Sequence, residues 1–310
     1  MILVGGEALV DLVPSPAARP GELAPLVPLP GGGPYNVAIT VGRLGVPVRF
    51  LSRLSTDGFG DALLERLAVS GVDVSMVQRG PEPTTLAIAG IAPDGSARYS
   101  FYVQGTADRE VGHPGVLPDD VSILSLGTLS LVLEPGASTY ERLLHEHAGR
   151  GRLTVVDPNI RPVLTTPAYR DRFASWLPDI GLLKLSIEDA AWLADGDPHQ
   201  AVKGWLDLGP AAVVMTRGAD GIVVRTAAGD EVTVPTPAAT VVDTIGAGDT
   251  VHGALLVWLH RAGVSTRDEL RAVGAQEWRS ALEFAARAAA VTVSRAGAEP
   301  PYAAELGIQP

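Results

Sequence analysis

Short continuous apolar runs, separated by stretches of helical periodicity, constrain this chain more than any other feature of its sequence. Residues 2–4, 48–51, 122–125, 153–156, 182–185 and 212–215 each form such a run, the pattern of a strand buried on both faces. Between them lie segments such as "GDALLERLAVSG" and "STYERLLHEHAGRG". The second opens on a Ser/Thr cap and closes on glycine, and two more helices are expected near 250–262 and 275–293. Strand and helix in alternation predict an α/β fold, a doubly wound, mostly parallel sheet flanked by helices. With 310 residues, no internal repeat and no separating linker, the chain reads as one domain over 1–310.

Two segments break this rhythm. Residues 14–30 are rich in proline, and residues 84–103 alternate in period two around a Pro-Asp-Gly turn, a hairpin signal. They read either as surface decoration or as a small β-sheet lid, with segments at about 12–30 and 84–103, that covers the mouth of a site and excludes water.

Composition removes several classes of function. A net charge of −11 with no basic block argues against nucleic acid and against an anionic membrane surface as partners. An anionic ligand therefore needs local donors or a metal ion. The absence of cysteine rules out disulfides, thiolate metal sites and a Cys nucleophile. No apolar run approaches the roughly 20 residues of a membrane helix, and "MILVGGEALVDLV" lacks the basic region of a signal peptide. A soluble, cytoplasmic protein is expected.

Chemistry concentrates in "TVVDTIGAGDTVHGALL", residues 240–256. The expected order is an extended segment at 240–242, a turn at 243–248, and a helix from about Asp249. N–H groups exposed at a helix start, together with the helix dipole, make an anion site, and Gly246 and Gly248 let a ligand approach the backbone. Asp249 has two readings: a cap or first-turn acid that stabilises the helix, or a general base beside a phosphoryl cradle. The familiar phosphate loops do not match. No Gly-Lys-Ser/Thr occurs in the chain, and Val251 stands where a dinucleotide fingerprint needs its third glycine. A second loop, "LPGGGPYNVAITVGRLG" at 29–45, opens another helix with Asn36 at its mouth, and Asp11 follows the first strand as a candidate acceptor for polyol hydroxyls.

These segments, with others, carry a family resemblance from end to end. "GEALVDLVP", "GGGPYNVAITVGRLG", "STDGFGDAL", "GTADR", "VDPNIRP", "KLSIEDA", "MTRGADG" and "DTIGAGDTVHGALL" occur in that order. The chain resembles the ribokinase-like carbohydrate kinases, also called the PfkB family, and within it bacterial fructokinases.

The resemblance implies a ribokinase-like fold and an ATP- and Mg²⁺-dependent transfer of a phosphoryl group to a sugar hydroxyl. Asp249 matches the family's base, and Gly246, Ala247 and Gly248 match its anion hole. Asp11, Gly32, Gly33 and Asn36 match sugar-binding positions, with Arg109 and Arg161 as further substrate-side candidates. Thr216, Gly218 and Gly221 match the nucleotide loop, with Lys184 near the phosphates. The family's Asn-x-x-Glu appears as Ser186-x-x-Asp189, which leaves Glu188 and Asp189 as alternatives for organising Mg²⁺. A monovalent cation such as K⁺ would be held by Asp243 and the carbonyls of Ile245, Arg295 and Gly297. Family members also pair through their lids, so a homodimer is expected.

Other polar and aromatic residues read as structural. His145 and His147, two apart on a helix, face different directions and make no metal site, and His252 is expected to pack or hydrogen-bond locally. Trp192 and Trp258 sit at helical spacing among apolar residues and read as core. Tyr99, Phe101 and Tyr102 alternate on the lid, so one side can meet a ligand and the other a partner. The function expected is phosphorylation of a sugar, fructose first, with 2-keto-3-deoxygluconate, ribose or a nucleoside as alternative acceptors. A non-catalytic sugar or nucleotide sensor on the same fold is the reading from another class.

Overall fold

The computed structural model describes residues 1–15, 24–91, 97–162 and 164–308. The Pro-Asp-Gly turn at 93–95 and the middle of the proline-rich segment lie outside them.

Fourteen strands are described: β1 (Ile2–Gly5), β2 (Leu9–Pro14), β3 (Leu26–Gly31), β4 (Val48–Ser55), β5 (Val72–Asp73), β6 (Val77–Gly80), β7 (Leu86–Ile91), β8 (Ala97–Tyr102), β9 (Ile123–Gly127), β10 (Leu153–Asp157), β11 (Leu182–Ser186), β12 (Ala212–Thr216), β13 (Ile222–Thr226) and β14 (Glu231–Val234). The helices are α1 (Gly33–Arg43), α2 (Gly58–Val69), α3 (Gly136–Gly149), α4 (Ala168–Trp176), α5 (Ile187–Ala194), α6 (Pro198–Leu208), α7 (Ala247–Arg261), α8 (Arg267–Arg271) and α9 (Ala275–Val293). The large sheet runs β14-β13-β12-β11-β10-β9-β1-β4-β5, with β6 also on β4. Its pairs are parallel except at β12-β13 and β13-β14. All six expected strands are present in it.

Period-two alternation sorts the strand residues onto two cores. Ile2 and Val4 of β1, Leu153 and Val155 of β10, and Ala212 and Val214 of β12 join the core under α1, α7 and α9. Leu3, Val156, Val213 and Met215 join the core under α3, α4 and α6. Helices on both faces explain why these strands are predominantly apolar on both sides. Among the described residues no helix is long and apolar enough to cross a membrane.

A separate four-stranded sheet, β3-β2-β7-β8, joins strands of the two segments that broke the rhythm to β2, most of which precedes the first of them. It is mixed, with β2 and β7 parallel and its outer pairs antiparallel. Tyr99 and Phe101, two apart on β8, stack with ring centroids 6.0 Å apart, while Tyr102 is exposed.

Three local expectations are corrected. Residues 240–242 form no strand, although the Val242 N–H bonds the Val293 carbonyl; the short apolar run rides on α9. Helix α3 starts at Gly136 rather than at Ser138, and the Glu134 carboxylate accepts from the Ser138 N–H. An acid four residues upstream thus does the work expected of the Ser/Thr cap. Nor is β11 apolar throughout, since Lys184 is buried within it on the α7 side.

Helices α1 and α7 cross closely because Gly253 has no side chain. A Cβ there would stand 2.6 Å from Thr40 Cβ and 3.1 Å from the Val37 carbonyl. Overpacking such a contact costs about 1–3 kcal/mol. Gly253→Val is expected to lower the midpoint of urea unfolding by a corresponding amount, measured by circular dichroism; an unchanged midpoint would show that the crossing is not tightly packed.

Candidate active site

A cavity of about 450 Å³ opens where the carboxyl ends of β10, β11 and β12 meet the starts of α1 and α7. Ligands of open α/β sheets bind on this side of the strands. The four-stranded sheet roofs it with Leu9, Asp11, Tyr99 and Phe101, so that segment lies over a site and the aromatic pair faces inward.

At the start of α7, Gly246 is the N-cap with φ of 76°, and a Cβ would meet Ala298 Cβ at 2.6 Å. Only glycine fits such a left-handed, crowded position. No side chain caps the helix, leaving its first N–H groups to be satisfied by a ligand or water. Gly246 and Gly248 line the cavity. Ala247 does not; its N–H turns back to the Thr244 carbonyl at 3.3 Å. Asp249 is the third helical residue rather than the cap. Its carboxylate lines the cavity, is nearly buried, and accepts from Asn36 Nδ2 at 2.8 Å. Burial holds its pKa above the usual carboxylate range, against the pull of Asn36 and Lys184. A raised carboxyl is a better proton acceptor for an alcohol.

At the start of α1, Gly32 sits at φ 110°, with the Glu7 carbonyl 2.7 Å from where a Cβ would be. Gly33, Asn36, Asp11 and Arg161 share the cavity wall with it. Burial pushes Asp11 up to about 6; Arg161 opposes the shift and Asp249 adds to it. Arg161 donates to the side-chain and main-chain oxygens of Asn159 at 2.6 and 3.1 Å.

On the opposite side, Lys184 and Thr216 line the cavity. Exposed Gly218 and buried Gly221 bracket the turn after β12, outside the cavity wall, and Thr236 Oγ1 donates to the Gly218 carbonyl at 2.8 Å. Asp189 faces the cavity and closes a capping box with Ser186, while also accepting from the Ile160 N–H at 2.8 Å. Glu188 is exposed and off the cavity wall. Asp243 accepts from the N–H groups of Ile245 at 3.0 Å and Gly297 at 2.8 Å, which brings the 295–297 segment beside the turn before α7.

Arg109 is corrected. It sits in the turn Ala107–Glu110, where its guanidinium donates to the carbonyls of Val103 and Glu134 and to Gln104. Those acceptors occupy its fork, and it does not reach the cavity. His145 pairs with Asp179 at 2.5 Å, His147 is buried, and His252 bonds Ser125 and Asp157. Trp192 and Trp258 are partly buried beside the two cores.

Glu7 escaped the sequence reading. Buried between β1 and β2, it lines the cavity and accepts from Thr128 Oγ1, from the Ser130 hydroxyl and N–H, and from the Gly33 N–H at 3.3 Å. Its only sequence signal is an acid just after a buried strand; its hydroxyl partners lie 121 and 123 residues away. Burial pushes it up to about 7, opposed by the Ser130 hydrogen bonds.

Known proteins resemble this chain in both sequence and fold. The sequence matches the pfkB family carbohydrate kinases over residues 1–304. It is 37% identical over 285 residues to a fructokinase of Rhizobium leguminosarum bv. trifolii, covering 90% of this chain and 86% of that one. A fructokinase-1 of Oryza sativa subsp. japonica is 30% identical over 320 residues, covering 99% and 96%. Among solved structures, the fructokinase with bound ATP from Xylella fastidiosa aligns with a TM-score of 0.88 at 28% identity, covering 98% and 96% of the two chains. Aminoimidazole riboside kinase from Salmonella enterica aligns with a TM-score of 0.81 at 26% identity, covering 99% and 98%.

The raised Glu7 pKa sets a pH dependence. A carboxyl that binds its proton more tightly when folded stabilises the fold fully below its ordinary value near 4.5, and that contribution is lost as pH rises through about 7. The parent should therefore lose more stability to urea between pH 5 and 8 than Glu7→Gln, whose amide does not titrate. Parallel pH curves for the two proteins would contradict the assignment.

Proposed function

Because the chain belongs to the pfkB family of carbohydrate kinases, we propose that its cavity transfers the γ-phosphoryl of ATP to a hydroxyl of fructose, within one kinase domain whose four-stranded sheet is a lid. One observation carries this reading: Asp249 stands in the first turn of α7, facing the cavity, beside helix N–H groups that no side chain caps. A base and an anion cradle thus share one helical turn. Asp249 takes the proton of the acceptor hydroxyl while its oxygen bonds the transferring phosphorus and the bond to ADP breaks. The N–H groups of Gly248 and Asp249, with the Lys184 ammonium, receive the charge on the transferring group, and Thr216 with the Gly218–Gly221 turn takes the nucleotide. Such a loose transition state needs positioning and charge neutralisation more than covalent help.

The acceptor end suits a neutral polyol. Among the described residues, Glu7, Asp11 and Asp249 contribute carboxyls there against the single cation Arg161, whose Nη1 is engaged by Asn159. That balance disfavours a sugar acid such as 2-keto-3-deoxygluconate and leaves ribose and nucleosides as the competing acceptors. The Rhizobium and Oryza relatives, 37% and 30% identical, both carry the name fructokinase, which supports fructose among them.

Mg²⁺ fits as an ion that arrives with the nucleotide and keeps most of its waters. Among the described residues no three acids or histidines form a ready-made metal cage, and Asp189, not Glu188, is the carboxylate on that wall. Bound Mg²⁺ would neutralise phosphate charge. The juxtaposition of Asp243 with 295–297 likewise fits a monovalent cation held by the carbonyls of Ile245 and Arg295. Exposed Leu26 and Val27 on β3 and Tyr102 on β8 give the lid apolar edges for a second copy.

ADP formation with Mg-ATP, measured across ketoses, aldoses, sugar acids and nucleosides, tests the proposal. Fructose should give the highest kcat/KM, and Asp249→Ala should lower kcat about 10²–10⁴-fold. Equal turnover by that variant would remove the base, and silence on every acceptor would favour a sensor. In buffer free of monovalent cations, K⁺ should raise the rate of the parent and not that of Asp243→Ala; a flat titration would remove the cation site.

A further inference from the structure

Three neighbouring strands each interrupt an apolar face with one buried polar side chain beneath the start of α7: Ser125 of β9, Asp157 of β10 and Lys184 of β11. Their strand neighbours Ile123, Val155 and Leu182 belong to the core against α1, α7 and α9. His252, one turn beyond Asp249 on α7, joins them. Its Nε2 lies 2.9 Å from Ser125 Oγ and its Nδ1 lies 3.4 Å from Asp157 Oδ2. The same Oδ2 is 2.7 Å from Lys184 Nζ. At the other end of the chain, Lys184 Nζ comes within 3.4 Å of where a Cβ on Gly248 would stand.

The order Ser, His, Asp is that of a hydrolase triad, but the space denies it that chemistry. The cavity that Ser125, His252, Asp157 and Asp249 share is about 10 Å³, room for about one water. No acyl substrate reaches Ser125, which is 2% exposed. What the arrangement can do is hold charges in place. Facing a carboxylate, Nδ1 carries the imidazole proton and donates it to Asp157, while Nε2 accepts from the Ser125 hydroxyl. Asp157 Oδ1 has no partner among the described residues, so Oδ2 alone ties the carboxylate to both its cationic and its imidazole neighbour.

Burial disfavours both charges of the Asp157–Lys184 pair, yet their mutual attraction, aided by His252 on the aspartate and by Asp249 and Asp189 on the lysine, keeps Asp157 below and Lys184 above its ordinary range. The pair is therefore ionised, and where its ammonium sits depends on what anchors its carboxylate.

We propose that His252 is a positioning residue for phosphoryl transfer: by donating to Asp157 it pins that carboxylate to α7, and so holds the Lys184 ammonium against the start of the helix whose N–H groups receive the transferring phosphoryl. The inference rests on the kinase reading above. Displacement of such a charge by about 1 Å costs on the order of 10²-fold in rate.

Steady-state kinetics on the full chain tests it, with urea midpoints recorded for every variant. His252→Leu is expected to lower kcat at least about tenfold with the KM for sugar little changed. His252→Asn, whose amide can replace the Nδ1 donor, should recover most of that loss, and Ser125→Ala, which frees the imidazole, should lose kcat in the same direction. In a Lys184→Met background His252→Leu should cost nothing further, because the group it positions is gone. An unchanged kcat in His252→Leu would overturn the proposal, as would an equal loss with and without Lys184 or a loss in His252→Asn as large as in His252→Leu. A parent with no sugar-dependent ADP formation would overturn the kinase reading itself and this inference with it.

Discussion

The hydrogen bond between Asn36 and Asp249 is the interaction on which the site depends. It joins the first turns of two helices that are 213 residues apart in sequence, and it exists because one turn further along both helices Gly253 lets Thr40 press against the backbone of α7. Close packing is thus converted into chemistry. The absence of a side chain at one position sets the distance between the glycine loop before α1 and the Asp249 carboxylate, and the hydrogen bond fixes which way that carboxylate faces. Gly246 performs the complementary task at the cap, where contact with Ala298 and a left-handed backbone turn the helix start toward the cavity.

Around that bond the protein gathers more buried charge than its stability requires. Glu7, Asp108, Asp157, Lys184, Asp189 and Asp249 are all buried within or next to the cavity wall. Only Asp157 and Lys184 form a close ion pair among them; the other acids depend on amide, hydroxyl or backbone donors and are held above their ordinary pKa by burial. Unpaired buried carboxyls destabilise a fold at neutral pH. Their concentration at one end of the sheet, with two large apolar cores elsewhere, marks where stability has been traded for reactivity.

Legibility in the sequence followed the range of the interactions concerned. Strands β1, β4 and β9 to β12 were readable because burial on both faces leaves a predominantly apolar run, which needs no knowledge of the partner strand. The glycine loops before α1 and α7 were readable because backbone strain and helix-start chemistry are local. Residues 240–242 misled for the same reason in reverse: an apolar triplet looks extended, and only the Val293 carbonyl on α9 shows that its hydrogen bond goes to a helix. Arg109 misled because its sequence neighbours match a family segment while its donors are claimed by the distant Glu134 carbonyl.

Composition, periodicity and motif order by themselves determined the fold class, the family and the turn that carries the candidate base, since each rests on patterns within a few residues or on a sequence of such patterns. Only the tertiary structure decided that Glu7 belongs to the cavity wall, that Asp189 and not Glu188 faces it, and that Ser125, Asp157, Lys184 and His252 form one chain beneath α7. Those pairings span up to 127 residues. They depend on which strand edges and helix faces the folded topology brings within hydrogen-bond distance, a quantity that no local pattern encodes.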